Sequence, residues 1–290
     1  TATVYAAGTG LVQQAGSAQQ IISTKVALGS SQTWEIDTVG AANDLRVTGV
    51  ISGTGMSLTK TGAGTLELAA ANTFTGGLIV KNGIVDANGN NSTAFGTGTI
   101  TLGDSSGSND AQLGSTDGYS NAISLGATSG ALSITTTTTG TSNSFTVGGT
   151  IALNGSNLLL AMNRSANRAM TFSGQITGSS TISTSSSNNS SAPGIIITGA
   201  NASSFTGNVI VTGGLLGFTT DALGQNSTGG TITFNNTSLT TANAPGLVWQ
   251  GTNTQDLSGR FQALTGTTNA VLDLNGNDVT FATANGLAGA

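Results

Sequence analysis

Hydrophobic and polar positions alternate along this chain in short bursts. In residues 58–85, LTKTGAGTLELAAANTFTGGLIVKNGIV, Leu66 and Leu68 alternate with Thr65 and Glu67. A period of two gives one apolar and one wet face, as in a half-buried strand. Asn72 and Gly76-Gly77 then turn the chain, because Asn and Gly accept backbone angles that other residues resist. Leu78, Ile79 and Val80 make a second short strand, and Asn82-Gly83 turns it again. Strand and turn recur at a spacing too short for a helix. No segment sustains apolar residues at i, i+3, i+4 and i+7, and caps of the Ser-x-x-Glu kind are missing, so almost no α-helix is predicted.

The same grammar returns downstream. Ala200-Asn201, Phe205-Thr206-Gly207, Val209-Ile210-Val211 and Gly213-Gly214-Leu215-Leu216 echo Ala71-Asn72, Phe74-Thr75-Gly76, Leu78-Ile79-Val80 and Asn82-Gly83-Ile84-Val85. Self-similarity of this kind signals a solenoid, in which no unit buries its apolar face alone. The pattern predicts an all-β parallel β-helix with coils of roughly 20–25 residues. Strands are expected near Ile123–Leu125, Leu132–Ile134, Phe145–Val147, Ile151–Leu153, Leu158–Ala161, Ala169–Phe172, Leu247–Trp249, Phe261–Leu264, Val271–Leu274 and Val279–Phe281. A polar loop is expected from Asp104 to Asp117, and the Ser/Asn run 183–192 is read as a bulge from one corner. Residues 1–290 read as one continuous solenoid, with superperiods at about 45–171 and 172–285. Because the chain starts and stops inside the repeat grammar, without initiator Met or signal peptide, it is expected to be a fragment of a longer chain.

Composition narrows the function classes. Among 290 residues there are 44 Gly, no Cys, no His, 7 Lys+Arg and 12 Asp+Glu. Low charge with abundant Val, Ile, Leu and Thr argues against disorder. The net charge of −5 is spread along the chain. That is unlike the clustered Lys and Arg of a nucleic-acid footprint, so no nucleic-acid partner is expected. No apolar run approaches the roughly 20 residues that span a bilayer, so no transmembrane segment is expected. Without His or Cys, Ser-His-Asp and Cys-His catalysis is impossible in this chain, and zinc chemistry is disfavoured.

Leu58-Thr59-Lys60-Thr61-Gly62-Ala63-Gly64-Thr65-Leu66-Glu67-Leu68, then Ala71-Asn72-Thr73-Phe74-Thr75-Gly76-Gly77, then Val80 and Gly83-Ile84, resembles the passenger-associated transport repeat. This is also called the autotransporter-associated β-strand repeat and is found in large bacterial surface proteins. The resemblance covers residues 45–85 and, in degenerate form, 172–216, where the Ser/Asn run replaces the Lys-Thr-Gly-Ala-Gly core. It implies a right-handed parallel β-helix outside the cell, on the bacterial cell surface, with export through a C-terminal barrel that this chain does not contain.

Several groups of residues are candidates for chemistry. Asp104, Asp110 and Asp117 could form a calcium loop or an acid pair, as in a β-helix polysaccharide lyase or hydrolase, or else a solvated corner. The EF-hand spacing is not met. Asp273 to Asp278 could bind a cation or form an Asn-Gly turn. Arg164 and Arg168 could face an acidic sugar or lie as polar surface. Trp34 and Trp249 could stack on sugars or fill the core. The Thr arrays, Thr99 with Thr101, Thr135 to Thr139, and Thr231 with Thr233, could form ice-binding ranks or ordinary strand hydroxyls. In each case the second reading is preferred. No catalytic, cofactor-binding or metal residue is assigned, no cofactor is expected, and the chain is not expected to be an enzyme. The preferred function is a structural, extracellular β-helical segment, a stalk or filament-forming piece. Its partners are further copies of the same repeat, in the same chain or end to end. The alternative is an adhesin or glycan-binding module that meets surface glycans through loops 104–120 and 183–192.

Overall fold

The computed structural model describes residues 8–38, 44–88, 91–136, 144–163, 168–187, 192–235, 244–264 and 269–283. Among the described residues the protein is all-β, with about 1% helix. Its chain divides into two compact units, residues 1–142 and 143–290. Each is a β-solenoid built from parallel strands.

In the first unit, one sheet stacks Thr9–Gln13, Gln32–Ile36, Leu58–Thr61, Leu78–Val80, Ile100–Leu102 and Ile123–Leu125. A second stacks Gln20–Ile22, Leu45–Val47, Thr65–Leu68, Gly83–Ala87, Ala111–Ser115 and Leu132–Thr136. The chain visits the first sheet, turns into the second, crosses a third side through residues such as Asn72 and Phe74, and returns one coil further on. Register places like on like: Leu58, Leu78, Ile100 and Ile123 form one buried column, and Leu45, Leu66, Val85, Leu113 and Ile134 another. Alternation along each strand aims these side chains inward on every coil, so no coil has a core of its own.

The second unit repeats the plan. Phe145–Val147, Met170–Phe172, Ile195–Ile197, Leu215–Phe218, Gly246–Trp249 and Val271–Asp273 stack in one sheet. Leu158–Met162, Ile182–Ser186, Val209–Gly213 and Ile232–Phe234 stack in another. Its interior is richer in rings. Phe172, Ile197, Phe218 and Trp249 share a column, and Trp249 meets Phe218 edge-on at 4.9 Å and Phe281 at 5.9 Å.

Three expectations are corrected. Residues 104–117 are not all loop, because Ala111–Ser115 pairs in parallel with strands on both sides. Likewise the Ser/Asn run begins inside the strand Ile182–Ser186, whose neighbours are Leu158–Met162 and Val209–Gly213. Two flanking ladders override the weak strand preference of Gln, Gly and Ser. Residues 188–191 of that run lie outside the described residues. Finally, residues 261–264 and 279–281 form no strand: Phe261 makes an isolated bridge to Ile232, and both Phe261 and Phe281 pack in the aromatic cluster.

Corners, where the ladders stop, are closed by side chains reaching one coil away. Asn72 is buried. Its Oδ1 accepts from the Ile51 N–H at 2.7 Å, 21 residues earlier, and its Nδ2 donates to the Ala94 carbonyl at 2.6 Å, 22 residues later. Asn201 does the same between Ile176 and Ala222, both at 2.7 Å. One amide side chain thus ties three consecutive coils. Replacing Asn72 with Leu leaves a buried donor and a buried acceptor unmatched and should cost about 2–4 kcal/mol. The expected reading is a lower urea midpoint with an unchanged denaturant slope.

Candidate functional site

Lys60 lies on the inward face of its strand, in register between Trp34 and Val80, and its side chain is 0% exposed. Its Nζ donates to three backbone carbonyls: Thr61 at 3.0 Å and Gly62 at 2.7 Å in its own coil, and Asn82 at 3.0 Å in the next. The aliphatic stem occupies a core position while the ammonium closes two turns at once. Gly62 makes this turn possible. It sits at φ +78, and a side chain there would run into the Ile36 backbone. Burial draws the Lys60 ammonium down from its ordinary 10.5 to about 8, against the opposing pull of Asp44 and Asp37. Asp44 itself accepts from the Thr65 N–H at 2.6 Å and is buried.

The second unit has a counterpart. Arg260, at the end of a short 3-10 turn over Ser258–Arg260, is buried and donates to the carbonyls of Gly230, Leu223, Gly224 and Gly207. Gly229 leaves room for its guanidinium, because a methyl group there would overlap the group's central carbon. Burial lowers the Arg260 pKa to about 10. Both cations act as backbone staples, each held by carbonyl dipoles from more than one turn. Neither was picked out as a site residue from the sequence. The available signal was the alternation itself: in Leu58-Thr59-Lys60 it places a Lys on the same face as Leu58.

The residues singled out by composition fare differently. Asp104 pairs with Lys81 at 3.3 Å. Desolvation opposes its ionisation, but hydrogen bonds from the Ser105 N–H and Lys81 hold its carboxyl below the ordinary value. Asp110 is exposed and accepts from the Ala131 N–H at 2.7 Å. Asp117 bonds within its own bend, to Thr116 at 3.1 Å. The five-residue strand Ala111–Ser115 separates Asp110 from Asp117 by about 16 Å, so they do not share a cation. No group of three or more His, Cys, Asp or Glu that could hold a metal occurs among the described residues.

Asp273 accepts from the Asn275 N–H at 2.8 Å, and Asn275 and Gly276 sit at φ 51 and 78, which makes this the Asn-Gly turn. Trp34 and Trp249 are buried, and their indole N–H groups donate to Gln32 Oε1 at 3.0 Å and the Gln255 carbonyl at 2.9 Å. Phe74 and Phe205 are buried in matching positions. Thr59, Ile79, Thr101 and Ser124 stand in register on successive coils, a mixed row rather than a rank of Thr. Thr233 lies beside Ile210. Thr135 and Thr136 are buried. Arg164 and Thr137 to Thr139 lie outside the described residues; Arg168 is half-buried. Glu67, expected on a wet face, is buried with Arg46 over it, Nε to Oε1 at 3.1 Å. Just past the Ser/Asn run, the missing side chain of Gly217 makes room for the ring of Pro193.

The passenger-associated-transport-repeat family model matches residues 58–87. That segment contains Lys60, both of the turns it staples and Asn72. No curated protein and no solved structure matches the chain. Among the described residues, no helix is long and apolar enough to cross a membrane.

Two outcomes follow for solution measurements. Between pH 8 and 10.5 the unfolded chain binds a proton at Lys60 that the folded chain has lost, so this group's contribution to stability rises with pH across that window. The urea midpoint of the wild type relative to Lys60→Met should therefore climb over that range, with a flat difference counting against a buried, desolvated ammonium. Asp110→Ala should cost about 1 kcal/mol through the lost bond to Ala131. Adding millimolar calcium should leave the melting temperature of both proteins unchanged.

Proposed function

We propose that this chain is a structural, extracellular β-helical segment of a bacterial surface protein, serving as a passenger-like stalk or filament-forming piece and not as an enzyme. The observation that carries the reading is the fate of its buried polar side chains. Lys60, Arg260, Asn72 and Asn201 bond to backbone groups of adjacent turns and so join coils. The match of residues 58–87 to the passenger-associated transport repeat supports a surface location. Partners in this reading are further copies of the repeat, whether in the same chain or end to end.

An adhesin reading rests on the exposed stretch Ser105–Asp110, which could meet a surface glycan. Display separates the two. The chain is placed between a secretion leader and an outer-membrane barrel on a host bacterium, with an epitope tag at its start. The scaffold reading expects the tag to be reachable on intact cells, a protease-resistant passenger, and no signal on a glycan array. A specific glycan signal lost on deleting residues 105–110 would replace it with the adhesin. Product release from an acidic polysaccharide would replace it with an enzyme.

A further inference from the structure

We propose that Asn154 and Asn275 are sites of self-modification by deamidation, where exposed turn amides become aspartate and isoaspartate, and that the Lys60 staple shields Asn82 from the same reaction. All three asparagines precede a glycine. Asn-Gly suits tight corners because both residues accept φ above zero. Glycine, lacking a side chain, also leaves its own backbone nitrogen open to attack the side chain before it. In that reaction the Gly N–H first gives its proton to hydroxide. The nitrogen then bonds to the Asn Cγ, and the side-chain nitrogen takes a proton from water and leaves as ammonia. Water opens the resulting succinimide at either carbonyl. Each new carboxylate thus consumes one water and releases one ammonia.

Ring closure needs a Gly N–H free to ionise and a peptide group free to rotate. Asn154-Gly155 sits at φ 48 and 87, and Asn275-Gly276 at φ 51 and 78. The Ser156 N–H donates to the Leu153 carbonyl and the Asn277 N–H to the Leu274 carbonyl, both at 2.8 Å, so both corners are type I′ turns. That turn leaves the glycine N–H outside its own hydrogen bond. Among the described residues, neither Gly155 nor Gly276 donates to any acceptor. Both pairs are exposed, and a methyl group on either glycine would meet nothing within 4 Å.

Asn82-Gly83 is held in the opposite way. The Asn82 carbonyl accepts from Lys60 Nζ at 3.0 Å, and the Gly83 N–H donates to the Asp110 carbonyl at 2.9 Å. These are the two edges of one peptide plane, gripped by the coil before and the coil after. A methyl group on Gly83 would run into the backbone of Gly62, Ala63 and Gly64. Both bonds must open before the ring can close, and amides bonded in this way give up their protons slowly. At the two free corners conversion adds charge outside the core columns. Each event makes the net charge of −5 one unit more negative, at Asn275 between Asp273 and Asp278.

The test is peptide mapping by mass spectrometry on the full chain aged in mildly alkaline buffer. Asn154 and Asn275 should turn to acid, with isoaspartate detected by a methyltransferase specific for it and ammonia released in step. Asn82 should convert more slowly by about tenfold or more, because two ordinary hydrogen bonds must break first. In urea, with the turns lost, the three sites should converge on similar rates. Lys60→Met should speed conversion at Asn82 and leave Asn154 and Asn275 at their wild-type rates. An intact Asn154 and Asn275 after ageing, or an Asn82 that keeps pace with them in the folded chain, would overturn the proposal. Unchanged protection of Asn82 in Lys60→Met would remove Lys60 as its shield.

Discussion

Everything in this protein depends on matching backbone polar groups where the strand ladders stop. A parallel coil satisfies its straight segments by pairing with the coils before and after it, but each corner leaves N–H and C=O groups buried and unpaired, at a cost comparable to a lost hydrogen bond. This chain meets that need with side chains that span coils. Asn72 and Asn201 each serve one donor and one acceptor on opposite sides. Lys60 and Arg260 serve only acceptors, three and four carbonyls respectively. The choice of side chain follows the local imbalance: an amide where both types are orphaned, a cation where carbonyls converge.

That requirement explains an otherwise odd use of charge. With 7 Lys and Arg in 290 residues, burying two of them would be wasteful in a globular domain. In water an ammonium costs little, whereas in a core it carries the desolvation penalty seen in the lowered pKa of Lys60. The penalty is tolerable because several carbonyl dipoles replace the lost water, and because the alternative is to leave those dipoles themselves unmatched. The polar atoms of Lys60 and Arg260 are thereby engaged by the backbone.

It also frames the functional reading. Where buried polar chemistry is directed along the stack, the molecule is organised to hold its coils together.

Much of the fold was legible in the sequence. Alternation in Leu66-Glu67-Leu68, the Asn-Gly turns and the echo of 71–85 in 200–216 required short strands, tight corners and stacking, because those residue types permit little else. The buried state of Trp34, Trp249, Phe74 and Phe205 followed from their place in apolar strand patterns. What tertiary structure alone decided was the fate of segments with weak local preference. Ala111–Ser115 and Ile182–Ser186 are strands because ladders on both sides demand them, not because Gln, Gly or Ser favours one. Glu67 is dry because Arg46, one coil away in register, lies over it. Lys60 is a staple because stacking brings the Asn82 carbonyl, 22 residues on, within reach of its ammonium. Period and composition fix which side of a strand a residue faces; only the neighbouring coil fixes what it meets there.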